Sequence, residues 1–330
     1  MRAMETPPTD ATMTPEAFSG AASRLYLDHL ALTLTEALRA LGIRAVLLKG
    51  ASLRYLLYDD DEVRRYTDVD LLVAPQNVAR AAEFLEGEGF RDRFKGAGAG
   101  ETVSYAREFR SDRAYVDLHW SLPGVTVADT VAWGVLTDQT DELDLRDGRV
   151  EVLTVPGRAL HVALHWAHNG FRQTSRLDDL DRAARRLPLD VWSEAAGMAD
   201  ALGALAPFVA GLNLHESGRE VVSRLGLDAH IPTGVALRAG SAPPLAVGFD
   251  RLFTTPGIRA KIACLAREVV PTPAGMRYWS PLARRGPAGL VSAYLWRPLY
   301  LFLHAPRAMI AWRRVRAEGN RIRSPSRRKP

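Results

Sequence analysis

Apolar positions recur at helical spacing through Leu25, Leu30, Leu32, Leu34, Leu38 and Leu41. They predict a helix from Pro15 to Leu41, closed by Gly42. Arg44 to Leu48 then reads as a short buried strand, and Ala51 to Leu57 as a helix that starts at Gly50. A second strand, Thr67 to Val73, precedes a helix from Pro75 to about Glu86, which Gly87 and Gly89 stop. Further strands are expected over Phe90–Phe94, Glu101–Arg110, Ala114–Trp120 and within Glu142–Val155, with a turn at Asp147-Gly148. After Pro156 the pattern becomes helical: Arg158–Ala167, Leu177–Leu187, Asp190–Leu202 and Leu205–Leu225. The prolines at 271, 273, 281, 287, 298 and 306 predict short or broken helices in the last third. No internal repeat is visible.

This pattern gives an α/β (α+β) fold. A small mixed sheet carries helices on one side, and a mainly helical domain follows. The expected division is a disordered leader over 1–15, a sheet domain over 16–155, a helical domain over 156–312 and a basic, disordered tail over 313–330. Composition agrees with a globular chain: 47% of its 330 residues are apolar and 25% charged. The lone Cys264 excludes a disulfide framework and a cysteine-based zinc cluster, and it favours a reducing cytoplasm. The polar, Pro- and Thr-rich start lacks the apolar core of a signal peptide. Net charge is +5, but residues 313–330 alone hold seven arginines and one lysine against one glutamate. The basic character therefore belongs to the tail, and the body is no nucleic-acid binder on charge.

Candidate chemistry sits in two strands. Asp68 and Asp70 are two residues apart, so they share one face of a strand. Two carboxylates that close repel unless a cation lies between them, and hard oxygen ligands suit Mg2+ or Mn2+. Asp117 stands in the apolar run Val116-Asp117-Leu118-His119-Trp120, where an unpaired carboxylate would be costly. If the two strands are neighbours, three carboxylates converge as a two-metal phosphoryl-transfer site requires. The plainer alternative pairs each aspartate with Arg64, Arg65 or Arg110. Upstream, Lys49-Gly50-Ala51-Ser52 joins strand to helix. Gly50 permits close backbone approach, while Lys49 and Ser52 add a charge and a hydroxyl.

Lys49-Gly50-Ala51-Ser52-Leu53, Arg65, Thr67-Asp68-Val69-Asp70-Leu71-Leu72-Val73 and Val116-Asp117-Leu118-His119-Trp120 together resemble the uncharacterised nucleotidyltransferase family of the polymerase-beta-like superfamily. The resemblance is specific over residues 45–120. It implies transfer of a nucleoside monophosphate from an NTP, ATP among the candidates, to an acceptor, with release of pyrophosphate. It assigns two magnesium (or manganese) ions to Asp68, Asp70 and Asp117, and the triphosphate to Lys49, Gly50, Ser52 and Arg65. The sequence departs from the family where Ala51 takes the usual serine position, with Ser52 one residue on. The acceptor stays open: a small molecule, a peptide or a protein.

His161, His165 and His168 fall at i, i+4 and i+7 and form one helical face. The plainer expectation is a helix–helix contact in which His165 or His168 meets Asp178 or Asp181. The alternative turns His165 and His168, with His119, into a substrate cleft. Two rival functions remain: a catalytically degenerate binding partner, favoured by Ala51, and an Asp-X-Asp glycosyltransferase, which lacks the upstream Lys-Gly element. Leu290–Trp312 with the Arg-rich end either closes the fold or makes peripheral contact with an anionic membrane. It is too short and too interrupted to span one.

Overall fold

The computed structural model describes residues 15–59, 62, 64–98, 101, 103–170 and 177–323. Residues 1–14 of the expected leader over 1–15 and the last seven residues of the expected tail lie outside the described residues. Seven strands form one mixed sheet: β1 (Ala45–Leu47), β2 (Asp68–Val73), β3 (Arg91–Asp92), β4 (Ala106–Arg110), β5 (Tyr115–His119), β6 (Thr140–Leu145) and β7 (Gly148–Leu153). Their spatial order is β3-β4-β5-β2-β1-β7-β6. β2 runs antiparallel to β1 and parallel to β5, and β1 meets β7 in parallel through Leu47 and Val152.

Strand alternation sorts side chains onto two faces. Ala45 and Leu47, Val69, Leu71 and Val73, and Val116 and Leu118 enter one core with α1 (Pro15–Ala40) and α3 (Val78–Gly87). Val46 and Leu72 face the other way, into a core built with α2 (Ala51–Leu57), α4 (Asp129–Thr137) and α5 (Val155–Asn169). The sheet therefore carries helices on both faces, not on one. The single-face expectation fails because Val46, Leu72 and Leu153 give the second side an apolar surface that must also be covered. Each fully buried leucine, such as Leu71 or Leu72, contributes about 2 kcal/mol relative to exposure.

Helices follow β7. β7 ends at Leu153, Thr154 caps α5 by accepting the Gly157 N–H, and Pro156 sits in the first turn. α6 (Leu177–Arg186), α7 (Leu189–Ala201), α8 (Leu205–Leu212) and α9 (Glu216–Leu225) pack around it. The expected helix 205–225 is two helices, broken between Leu212 and Glu216. α10 (Thr233–Ala239), α11 (Pro244–Thr254), α12 (Ile258–Val269) and α13 (Pro273–Trp279) precede α14, which runs unbroken from Pro287 to Arg323. This corrects two expectations. Pro298 and Pro306 lie inside a continuous helix, and residues 313–323 extend it instead of forming a loose tail. A proline removes one backbone hydrogen bond, and burial of Ala293, Ala308 and Trp312 holds α14 in place. Nor is Phe90–Phe94 a full strand; only Arg91 and Asp92 pair with β4. The β6–β7 turn centres on Arg146-Asp147, since Leu145 pairs with Gly148. Among the described residues, no helix is long and apolar enough to cross a membrane.

α5 and α8 touch at Gly211, where an added Cβ would lie 1.9 Å from the Ala163 carbonyl oxygen. Gly211→Ala should therefore push α8 off α5 and cost about 2 kcal/mol. Chemical denaturation of the variant reads this loss.

Candidate active site

The parallel register of β2 and β5 sets Asp70 directly beside Asp117 and Leu72 beside His119. All polar members of this set occupy the strand positions that face α5, because Val69, Leu71, Val116 and Leu118 take the opposite face. Asp68 pairs with Tyr115, two residues back along the ladder, or about 6.5 Å at the rise of a strand. The tightest group is therefore Asp70, Asp117 and His119, each offering one ligand atom within 4.8 Å of the others. Asp68 stands half-buried on the cleft wall, close enough for its charge to act on Lys49 and Asp117.

Lys49 leaves the end of β1 and reaches Asp70, with Nζ 2.6 Å from Oδ1. His119 Nε2 lies 3.1 Å from the same oxygen. Asp70 is almost fully enclosed, and its Oδ2 has no hydrogen-bond partner. Burial alone would raise the Asp70 carboxyl, but Lys49 and His119 outweigh it and hold the group well below the usual carboxylate range. Lys49 is likewise kept charged: burial opposes the charge, and Asp70, Asp68 and Asp117 overcome it. Asp117 behaves in the opposite way. Burial first, then the neighbouring Asp70, push its carboxyl up to about 7. One carboxylate of the pair is fixed as an anion, while the other is poised to exchange a proton near neutrality.

The opposite rim of the cleft is built around Gly50. Its φ of +62° and a would-be Cβ only 3.3 Å from the Tyr66 ring leave room for glycine alone. The Tyr66 hydroxyl donates to Asp28 of α1, which fixes the ring. Arg64 Nη1 donates to the Gly50 carbonyl at 3.0 Å, and the same guanidinium grips Asp179 of α6 through Nε and Nη2. The Tyr58 hydroxyl donates to Oδ1 of that carboxylate at 2.6 Å, the oxygen that also accepts from Arg64 Nε. Arg65 is exposed and lines the cleft with Lys49 and Gly50. Asp59 and Glu62, a few residues upstream, are taken by Arg186 and Arg182. Ser52 is fully buried, its Oγ has no hydrogen-bond partner, and it does not line the cleft. The pairing of Arg64 with Asp179 is what sequence reasoning missed, since it offered Arg64 only to the strand aspartates. Only their spacing across 115 positions joins them, and no local pattern reveals it.

The histidine face of α5 turns toward the sheet. The His161 ring lies 6.5 Å from that of His119, His165 follows at 6.4 Å, and Tyr105 bridges His119 and His168 at 5.9 and 5.5 Å. This replaces the expected contact with Asp178 or Asp181. Asp181 is occupied by His215 and Arg185 instead, and His165 contacts Asn169. Burial, with Lys49 and His119 nearby, holds His161 well below the ordinary imidazole value. Burial and Arg238 bring His168 down to about 4. Both are therefore neutral rings at neutral pH, and His161 lines the cleft together with His165.

Two measurements follow from this geometry. Arg64→Ala should cost about 3 kcal/mol in denaturant unfolding, because it strands the enclosed Asp179 carboxylate. An Arg64→Met, Asp179→Leu double variant should lose less than the sum of the two single changes. Asp117 keeps its proton up to about pH 7 when folded but releases it near 3.8 when unfolded. The folded state thus binds more protons across that window, and stability falls as pH rises through it. Asp117→Asn should lack this component and gain on the wild type between about pH 4 and 7. Thermal melts of both proteins in chelator would show it.

Lincosamide antibiotic adenylyltransferase LnuA, solved with lincomycin bound, aligns at 14% identity and a TM-score of 0.31, over 45% of this chain and 90% of that one. An antigenic nucleotidyltransferase-like protein from Paracoccidioides brasiliensis aligns at 16% identity and a TM-score of 0.31, over 60% of this chain and 86% of that one. No curated protein matches the chain. The family model described as uncharacterised nucleotidyltransferase matches residues 5–217, which include both strands of the carboxylate pair, the Lys49-Gly50 corner and the histidine helix; the chain belongs to that family.

Proposed function

We propose that this cleft transfers a nucleoside monophosphate from an NTP to an acceptor hydroxyl or phosphate. The observation that carries the reading is the register of Asp70 against Asp117, with Lys49 at 2.6 Å from Asp70, in a chain of a nucleotidyltransferase family. In the reaction an acceptor oxygen bonds to the α-phosphorus, the bond to the bridging oxygen of the β-phosphate breaks, and pyrophosphate leaves. Asp117, held near 7, is suited to take the acceptor's proton. Lys49 and Arg65 supply positive charge on the triphosphate side, and Gly50 lets phosphate approach the backbone. Ser52 is enclosed and takes no part in this scheme.

The residues fit a divalent cation. Asp70 Oδ2 is an enclosed oxygen without a hydrogen-bond partner, and Asp117 and His119 converge on it. Asp70, Asp117 and His119 would hold Mg2+ or Mn2+, with Asp68 available at the cleft wall for a second ion. Such a cation supplies charge neutralisation on the phosphates. The protein's own part is positioning: the Arg64–Asp179 pair fixes Gly50, and Tyr105 and His161 fix the His119 ring. The wall of His161 and His165 lines the cleft with the carboxylates and is the side from which an acceptor would enter.

Incubation with Mg2+, each α-labelled NTP and lysate as acceptor source should release pyrophosphate and yield a labelled adduct. Asp70→Asn and Asp117→Asn should each lower the rate at least about a hundredfold. A wild type that does no more than the Asp70→Asn, Asp117→Asn double variant would sink the enzymatic reading.

A further inference from the structure

α14 has two unlike sides. Ala293, Ala308 and Trp312 are buried against the rest of the helical half. The opposite side carries Val291, Leu295, Leu299, Phe302, Leu303 and Ile310 on one helical face, each 47–77% exposed. From Pro287 to Trp312 the only Lys, Arg, Asp or Glu residues are Arg297 and Arg307. α12 continues the pattern. It has no buried residue, and Ile258, Ile262 and Leu265 lie exposed along one side. Between α11, α12 and α14 an apolar cavity of about 220 Å3 opens beside Phe302, lined also by Leu245, Phe249, Leu252 and Leu265.

The charge around this surface is of one sign. Residues 244–323 hold fourteen Arg and Lys against three Asp and Glu, in a chain whose total is only +5. Two of the three acids are consumed internally. Asp250 accepts from the Trp312 indole, and Glu268 pairs with Arg251 and Arg297. At the end of the apolar stripe Arg313, Arg314 and Arg316 are all exposed.

We propose that α12 and α14 dock this protein onto an anionic phospholipid surface. The leucine and phenylalanine side chains enter the acyl boundary, and the arginines meet the headgroups. An uncovered apolar stripe bordered by cationic side chains has the chemistry of an interfacial helix, and anionic headgroups attract each added arginine. A second copy fits this surface poorly, because it would bring two strongly cationic faces together. Nucleic acid would answer the arginines but leave the leucines in water. The proposal does not depend on the nucleotidyl reading, and its test uses no nucleotide.

The full chain should float with phosphatidylcholine vesicles carrying about a third phosphatidylglycerol, and remain at the bottom with phosphatidylcholine alone. Leu295→Glu, Phe302→Glu should lower binding about tenfold or more at an unchanged melting temperature, since both positions face solvent. Arg313→Glu, Arg314→Glu should do the same and reduce the salt sensitivity. Wild type that floats with neither vesicle overturns the proposal. So does equal flotation of the Leu295→Glu, Phe302→Glu variant. A concentration-dependent dimer in light scattering, dissolved by that same variant and with no flotation, would assign the face to a second copy.

Discussion

An anionic carboxylate enclosed between two strands can persist only if a cation is brought to it, and here Lys49 does so. Its ammonium lies 2.6 Å from Asp70, and three aspartates together keep it charged against the cost of burial. Much of the local architecture serves that contact. β1 must end where it does to deliver Lys49, and Gly50 must turn with a positive φ to start α2. β2 and β5 must be parallel neighbours in one register, or Asp117 would not sit beside Asp70. The asymmetry of the pair follows directly. The carboxylate that Lys49 touches stays ionised, and the one it does not touch holds its proton to about 7.

The second constraint joins the halves of the chain. Arg64 reaches from the segment before β2 to Asp179 on α6 while also holding the Gly50 carbonyl. Asp59 and Glu62 add their own bridges to Arg186 and Arg182 on the same helix. The corner where β1 becomes α2 is therefore fixed by a helix that begins more than a hundred residues later. The boundary near 155 marks a change in pattern, from strands to helices, across which the site is assembled.

The sequence was informative where physics is local. Alternation placed β1, β2 and β5, and the glycine and proline signals placed α1, α3 and the start of α5. The spacing of His161, His165 and His168 identified a real face. It was uninformative where long-range packing decides. Nothing near Ser52 announces that its hydroxyl is buried away from the cleft, and nothing near Arg64 announces Asp179. α14 shows the same limit from another side. Local rules read Pro298 and Pro306 as breaks, yet tertiary burial of Ala293, Ala308 and Trp312 outweighs two missing hydrogen bonds.

The place of β1 in the sheet has a consequence for how the chain is made. β1 lies between β2, its neighbour in sequence, and β7, about a hundred residues further on. Until the ribosome has released residue 153, one flank of β1 has no partner. A nascent or truncated chain stopping short of that point presents an open, apolar edge made of Ala45, Val46 and Leu47. Closure of the sheet is a late, non-local event, and loop-closure entropy makes it slow. The strand that carries Lys49 to its partner is thus completed only after all of β7 has emerged.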